Sequence, residues 1–260
     1  MSEGFSSDWL SLREPYDRAA RSQDLLGRLA AWAAGSPLHV LDLGAGTGSN
    51  LRCTAAGLGT DQRWTLVEID QGLIAAGQRL SAPQGVSVEW RRADLAAELE
   101  GLADVQANVI TSSALLDLVS RRWLLRLLAL RARLGAALYV VLTYDGRIEW
   151  SPAEPLDGLV LSLVNRHQGT DKGFGPALGP MAAAALGDLP DVHTATSDWR
   201  FGPADRAIQQ ALLDGYVSAA LAMAPEQEGP IRAWAERRAA LIAEGASSLT
   251  VGHIDALVLP

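Results

Sequence analysis

The stretch Val40 to Asn50, VLDLGAGTGSN, most constrains how this chain folds. An apolar run ends in glycine at 44, 46 and 48, and a helix-compatible segment follows from Ser49. Removing three Cβ atoms from a strand-to-helix turn lets backbone N–H groups meet a ligand, with the helix dipole behind them. The stretch therefore predicts a buried parallel strand feeding a helix, with a ligand at the junction. The spacing is G-x-G-x-G. The dinucleotide fingerprint G-x-G-x-x-G asks for its third glycine at 49, where Ser49 stands, which weakens a dehydrogenase reading.

The surrounding pattern repeats that unit. Strand-like runs at 37–44, 63–70, 86–95, 107–113 and 136–146 alternate with helical segments, among them QGLIAAGQRL after the second strand and 120–134. Ser120 is placed to cap the latter. Regular alternation of this kind implies a parallel sheet wrapped on both faces. Residues 8–34 read as one or two helices with Leu25, Leu29 and Trp32 on one face, and Pro15 predicts a break. The second half is less regular. A helix in PLDGLVLSLVNRH runs into the polar loop QGTDKGFGPALGP, and 191–201 and 248–260 are strand-like. Two helices, near 203–223 and 226–244, separate them, the second with Ile231, Trp234, Arg238 and Leu241 at helical spacing. With no repeat, low-complexity tract or linker, the expectation is one domain over 1–260.

Composition excludes several functions. The net charge of −8 over 260 residues argues against a nucleic-acid partner. A single cysteine, Cys53, allows no internal disulfide and no thiolate metal cluster. The N-terminal MSEGFSSDWLSLREP lacks an apolar leader, and runs such as AALYVVL are too short to span a bilayer. A soluble, cytoplasmic protein with no membrane partner is expected. None of the four histidines has the neighbours of a metal site.

Three carboxylates stand in register with the glycine turn. Asp42 lies two residues before Gly44, Glu68 ends the second strand, and Asp94 follows the third. A carboxylate at 42 disfavours a bound pyrophosphate and favours a cation. Glu68 is suited to a ribose diol and Asp94 to an exocyclic adenine amine. A ligand with an amino group, a sulfonium, a ribose and an adenine satisfies all three.

VLDLGAGTGSN, LVEID, RADL and ANVITSSALLDL, at these intervals, resemble the class I S-adenosylmethionine-dependent methyltransferases over about residues 37–145. The resemblance implies an α/β fold: a seven-stranded, mostly parallel sheet of order 3-2-1-4-5-7-6, its last strand antiparallel, with helices on both faces. A helical N-terminal extension (1–36) precedes a cofactor-binding half (37–146). An acceptor-side half (147–260) follows, carrying a helical insertion at 203–244 before the last strand. By motif, Gly44, Ala45 and Gly46 would line the amino-acid end of S-adenosyl-L-methionine. Glu68 would hold the ribose, Ile69 would pack on the adenine, Asp94 and Leu95 would take its edge, and Ser112 would lie near the methyl donor. Asp70 reads as the cap of the following helix. Asn108 stands where the family often has aspartate, a structural position.

For the acceptor, residues concentrate in NRHQGTDKGFG, which holds the chain's single lysine. His167 is a candidate general base and Lys172 a partner for an anionic acceptor; Tyr144, at the end of the fifth strand, is a third candidate. Asp117 reads as acceptor contact or turn cap, and His253 with Asp255 as a structural pair. The N-terminal helix is a candidate lid, with Trp9 excluding water and Arg13 or Arg21 meeting the cofactor carboxylate. The reading is a methyltransferase (EC 2.1.1 class) acting on a small-molecule acceptor by in-line displacement. Its rivals are a catalytically silent cofactor-binding protein, a macromolecular methyltransferase and a nicotinamide oxidoreductase.

Overall fold

The computed structural model describes residues 6–59 and 61–260; the first five residues of the predicted N-terminal extension lie outside them. Two helices, α1 (Ser7–Ala20) and α2 (Gln23–Ala33), lead into β1 (Leu38–Leu43) and α3 (Ser49–Thr54). Then come β2 (Gln62–Glu68), α4 (Gln71–Gln78), β3 (Val86–Arg92), α5 (Leu95–Glu98), β4 (Val109–Ser113), α6 (Arg121–Leu134) and β5 (Ala137–Ser151). The second half contains α7 (Asp157–Gln168), α8 (Met181–Gly187), β6 (Val192–Thr196), β7 (Trp199–Phe201), α9 (Arg206–Met223), α10 (Glu228–Glu244) and β8 (Ser248–Val258).

The sheet runs β3-β2-β1-β4-β5-β8-β6, with β7 also paired to β8. The first five strands are parallel, and β8 is antiparallel to its neighbours. This is the expected order, with β8 as the seventh strand and the edge strand divided into β6 and β7. Helices α9 and α10 form the predicted insertion.

Three local readings need correction. Pro15 does not break α1, which runs on to Ala20. Ser11 and Pro15 both lie on its exposed side, so the carbonyl that loses a partner turns to water. Strand β5 extends to Ser151 rather than ending near 146, bent by register shifts after Val140 and after Tyr144. Helix α8, within a segment left without a predicted element, packs Ala182 and Leu186 into the core. Local caps follow the sequence: Asp70 accepts from the N–H groups of Gly72 and Leu73, and Ser120 from that of Trp123.

Strand periodicity divides the core into two layers. Leu41, Leu43, Ile110, Leu138 and Val140 pack under α6 and α8 with Trp123 and Leu127. Leu38, Val40, Val109, Tyr139 and Val141 face the other way, towards Leu29, Leu51 and Leu163. Asp42, Thr111 and Ser113 share the phase of Val40 and Val109, so their polar groups enter that second layer at its carboxyl-terminal edge. Asp42 and Thr111 are direct register partners.

Candidate active site

The glycine turn stands at the carboxyl ends of β1 and β2, where ligands bind in open α/β sheets. Gly44, Gly46 and Gly48 all have φ in the left-handed region, at 68°, 56° and 81°. The Ala45 N–H donates to the Val67 carbonyl at 2.9 Å, which fixes the turn to β2. Glu68 draws the loop tighter: Oε2 accepts from the Gly46 N–H at 2.8 Å, and Oε1 from Ile69 and Asp70 at 2.8 and 3.0 Å. Beside it Ile69 is 53 % exposed, an apolar side chain held out over the strand ends. Asp94 is half-buried and caps α5 through Oδ1, which accepts from Ala96 at 2.8 Å; Leu95 is buried behind it.

Asp42 is fully buried. Its Oδ1 accepts from the Asn50 amide at 2.7 Å and its Oδ2 has no partner. Burial pushes its carboxyl up to about 7, opposed by the Asn50 hydrogen bond and by Arg21, while Glu68 adds to the rise. Ser112, on the opposite face of the sheet, is also buried, with an unpartnered hydroxyl.

Two apolar side chains cover the turn. The Cβ position of Gly44 lies 3.4 Å from Leu115, and that of Gly46 lies 3.0 Å from Leu10 of α1. Helix α1 is thus seated on the glycine turn. On the same helix Arg13 pairs through Nε with Asp17 at 2.9 Å, and its guanidinium lies over Trp199, 5.1 Å from the ring centroid. The Asp17 carboxylate also accepts from Trp199 Nε1.

On the acceptor side the structure separates the three candidates. Tyr144 is buried and its hydroxyl donates to Asn165 Oδ1 at 2.7 Å, while the Asn165 amide donates to the Gly146 carbonyl. Burial pushes the Tyr144 phenol above its ordinary value, so it stays protonated at neutral pH. Lys172 folds back on its own loop, donating to the His167 carbonyl at 3.0 Å and to Thr170 at 2.9 Å. It lies 3.5 Å from His167 Nδ1. Burial, then the Lys172 charge, lower the His167 pKa, so the imidazole is neutral. The rest of the loop departs towards α6, where Phe174 packs on Trp123.

Two residues gain weight from their surroundings. Asp117 is 6 % exposed with an unpartnered Oδ1, and burial pushes its carboxyl up to about 6. The sequence signal was a lone acid in the apolar run SALLDLV after β4. His253 is buried against Trp199 and Tyr144, and burial pushes it down to about 3, so it is neutral. An open cleft of about 680 Å³ between α7 and the segment before α8 is lined by Leu161, Asn165, Arg166, Leu178 and Pro180. Asn165 is shared by this cleft and the Tyr144 hydrogen bond. Among the described residues no His, Cys, Asp and Glu cluster is arranged for a metal, and no helix is long and apolar enough to cross a membrane.

Comparison with known proteins agrees with this architecture. Residues 40–134 match the family model described as a methyltransferase domain. No curated protein matches the chain. Among solved structures, a cyclopropane-fatty-acyl-phospholipid synthase-like protein from Lactobacillus casei is 15 % identical, with 98 % of this chain and 95 % of that chain covered and a TM-score of 0.54. A methyltransferase from Thiobacillus denitrificans, solved with S-adenosyl-L-homocysteine, is also 15 % identical, with 98 % and 99 % covered and a TM-score of 0.45. Residues 40–134 are thus similar to a methyltransferase domain, and the strand order is that of a Rossmann-like α/β methyltransferase fold.

Proposed function

We propose that this protein transfers a methyl group from S-adenosyl-L-methionine to a small-molecule acceptor. The observation that carries the reading is the turn itself. Three left-handed glycines at the carboxyl end of β1 lie between the buried Asp42 carboxylate and the Glu68–Ile69 rim. The residues fit this cofactor. Asp42, dry and with one free oxygen, favours a cation. Gly44, Ala45 and Gly46 flank the place for its amino-acid end, Glu68 Oε2 retains one free lone pair for a ribose hydroxyl, and exposed Ile69 with Asp94 and Leu95 suits the adenine.

S-adenosylmethionine supplies an electrophilic methyl on a sulfonium. The protein's part is to orient, to exclude water and to hold protons. Ser112 and Leu115 stand at the end of β4 beside the turn. Leu10 keeps water from the Gly46 backbone, which gives α1 the place of a lid. Asn165 lines the α7 cleft and holds the buried Tyr144 hydroxyl behind it, so the pair offers polar contacts to an acceptor; Asp117 offers a buried carboxylate for its proton. His167 and Lys172 stand further out, and their part is to contact the distal portion of the acceptor. The chain works as one domain, in the cytoplasm, its acidity unsuited to nucleic acid.

The silent-binder reading has one specific support: Leu10 covers Gly46 and Glu68 is tied to three backbone N–H groups. Calorimetric titration with S-adenosylmethionine and S-adenosylhomocysteine, with Glu68→Ala alongside, tests the cofactor. Micromolar binding lost in the variant is expected; no binding to the wild type overturns the reading. A screen of small-molecule acceptors, comparing Tyr144→Phe with Lys172→Ala, then separates enzyme from silent binder.

A further inference from the structure

Arg21 occupies the corner between α1 and α2, and both sides of that corner are fixed. Its backbone is extended (φ −57°, ψ 140°) as it leaves α1. The next residue, Ser22, caps α2 by accepting from Leu25, and donates its own N–H to Asp255 Oδ2 of β8 at 2.8 Å. The Arg21 side chain is therefore delivered into the interior, where it is 3 % exposed.

Its surroundings are unusual for a buried guanidinium. Nη1 donates to Asn50 Oδ1 at 2.6 Å and to Thr54 Oγ1 at 3.1 Å, and Nη2 donates to Ser113 Oγ at 3.1 Å; Nε is buried without a partner. None of those three acceptors is charged. The counter-charges of Arg21, the carboxylates of Asp17, Asp42 and Asp255, act on it through space and not through hydrogen bonds. What the arrangement does achieve is control of Asn50. Arginine is a donor only, so it holds the amide with its oxygen towards Arg21 and its nitrogen towards β1. That nitrogen donates to Asp42 Oδ1 at 2.7 Å and to Thr111 Oγ1 at 3.0 Å. A flipped amide would set its oxygen against the Asp42 carboxylate.

We propose that Arg21 is a positioning residue for cofactor binding: through Asn50 it holds the Asp42 carboxylate towards the glycine turn, where that charge receives a cationic ligand. The inference rests on the reading that S-adenosylmethionine is the ligand. The groups facing Asp42 are Asn50 from α3, Thr111 from β4, Arg21 from the α1–α2 corner and Glu68 from β2. Arg21 is the only cation among them, and Glu68 opposes it. Arg21 thus links the helix seated on Gly46 to the carboxylate beneath the turn, by a chain of two hydrogen bonds.

The test is calorimetric titration with S-adenosylmethionine from pH 5.5 to 9, for the wild type, Arg21→Lys and Arg21→Met, with melting temperatures measured in parallel. Affinity in the wild type should fall tenfold per pH unit below the Asp42 midpoint. Losing the guanidinium makes Asp42 harder to ionise, so the midpoint moves to higher pH. In Arg21→Met the move is about one pH unit, making binding roughly fivefold weaker at pH 7 and approaching tenfold at lower pH; Arg21→Lys should lie between. A corner that serves only to hold helices together would lower the melting temperature and leave the midpoint in place, overturning the inference. If Arg21→Met does not fold, Arg21→Lys decides, with the Asp42 carboxyl followed directly by carbon NMR in the ligand-free protein. Wild type that binds with an unmoved midpoint in the variants removes the role of Arg21 alone. Wild type that binds at no pH removes the cofactor reading and this inference with it.

Discussion

Replacing Asp42 by asparagine should make the protein more stable at pH 8 and less stable at pH 4. Burial holds this carboxyl at about 7 in the folded chain, against an ordinary value of 3.8. Between those values the unfolded chain has already lost the proton that the folded chain keeps, so wild-type stability declines as pH rises from about 4 to about 7, and is level above. A span of about three pH units at 1.36 kcal/mol each amounts to roughly 4 kcal/mol. The asparagine variant escapes that loss. It retains an acceptor for the Asn50 amide, but its new N–H group takes the place of the unpartnered Oδ2 and costs about 1–2 kcal/mol. The net expectation is a gain of roughly 2–3 kcal/mol at pH 8, about 5 °C in melting temperature for a chain of this size, and a loss of about 1–2 kcal/mol at pH 4. Urea denaturation of both proteins at pH 4, 5.5 and 8 reads the difference, and groups common to both cancel. A variant less stable at every pH, or more stable by the same amount throughout, would refute the account of Asp42 as a dry, destabilising charge. Weaker cofactor binding in the stabilised variant would mark the usual opposition between a site's stability and its task.

Asp157→Asn should lower stability by about 3–5 kcal/mol in urea denaturation, because Arg238, fully buried, loses its ion pair. Gly77→Ala would place a Cβ 2.6 Å from the Trp90 ring and 2.9 Å from the Thr47 carbonyl. It should cost about 1–3 kcal/mol and weaken cofactor affinity by shifting α4 off the glycine turn, both measurable by melting and calorimetry. Asp255→Asn should cost about 2 kcal/mol, seen in the urea midpoint, since one of the N–H groups of Ser22 and Leu142 would then face another N–H.

What the sequence revealed was local, and what it hid was the meeting of distant residues. Asp70 and Ser120 were legible as caps because a cap is decided within a few residues. The glycine turn and the sheet order were legible because strand and helix alternate so regularly up to β5. Pro15 misled because a helix tolerates proline or not according to which way the freed carbonyl faces, and that is set by the sheet. Arg13 and Arg21 looked interchangeable on one helix. Only the fold gives the first to Asp17 and Trp199 and the second to Asn50, Thr54 and Ser113. The loop at 165–174 stands out in the sequence for its polar content. Tertiary packing then selects Asn165 from it for Tyr144, and turns Lys172 back onto its own backbone.

Asp255 accepts from Ser22 near one end of the chain and from Leu142, a left-handed residue at the bend of β5, in the middle. The first of these hydrogen bonds spans 233 residues. In the order of synthesis, therefore, the helical corner that carries Arg21 waits for β8 before its anchor exists. The glycine turn is synthesised long before the support beneath it, which arrives only with β8. Contacts of such long separation close slowly, so the ability to hold a ligand should appear late in refolding, well after the helical signal has recovered.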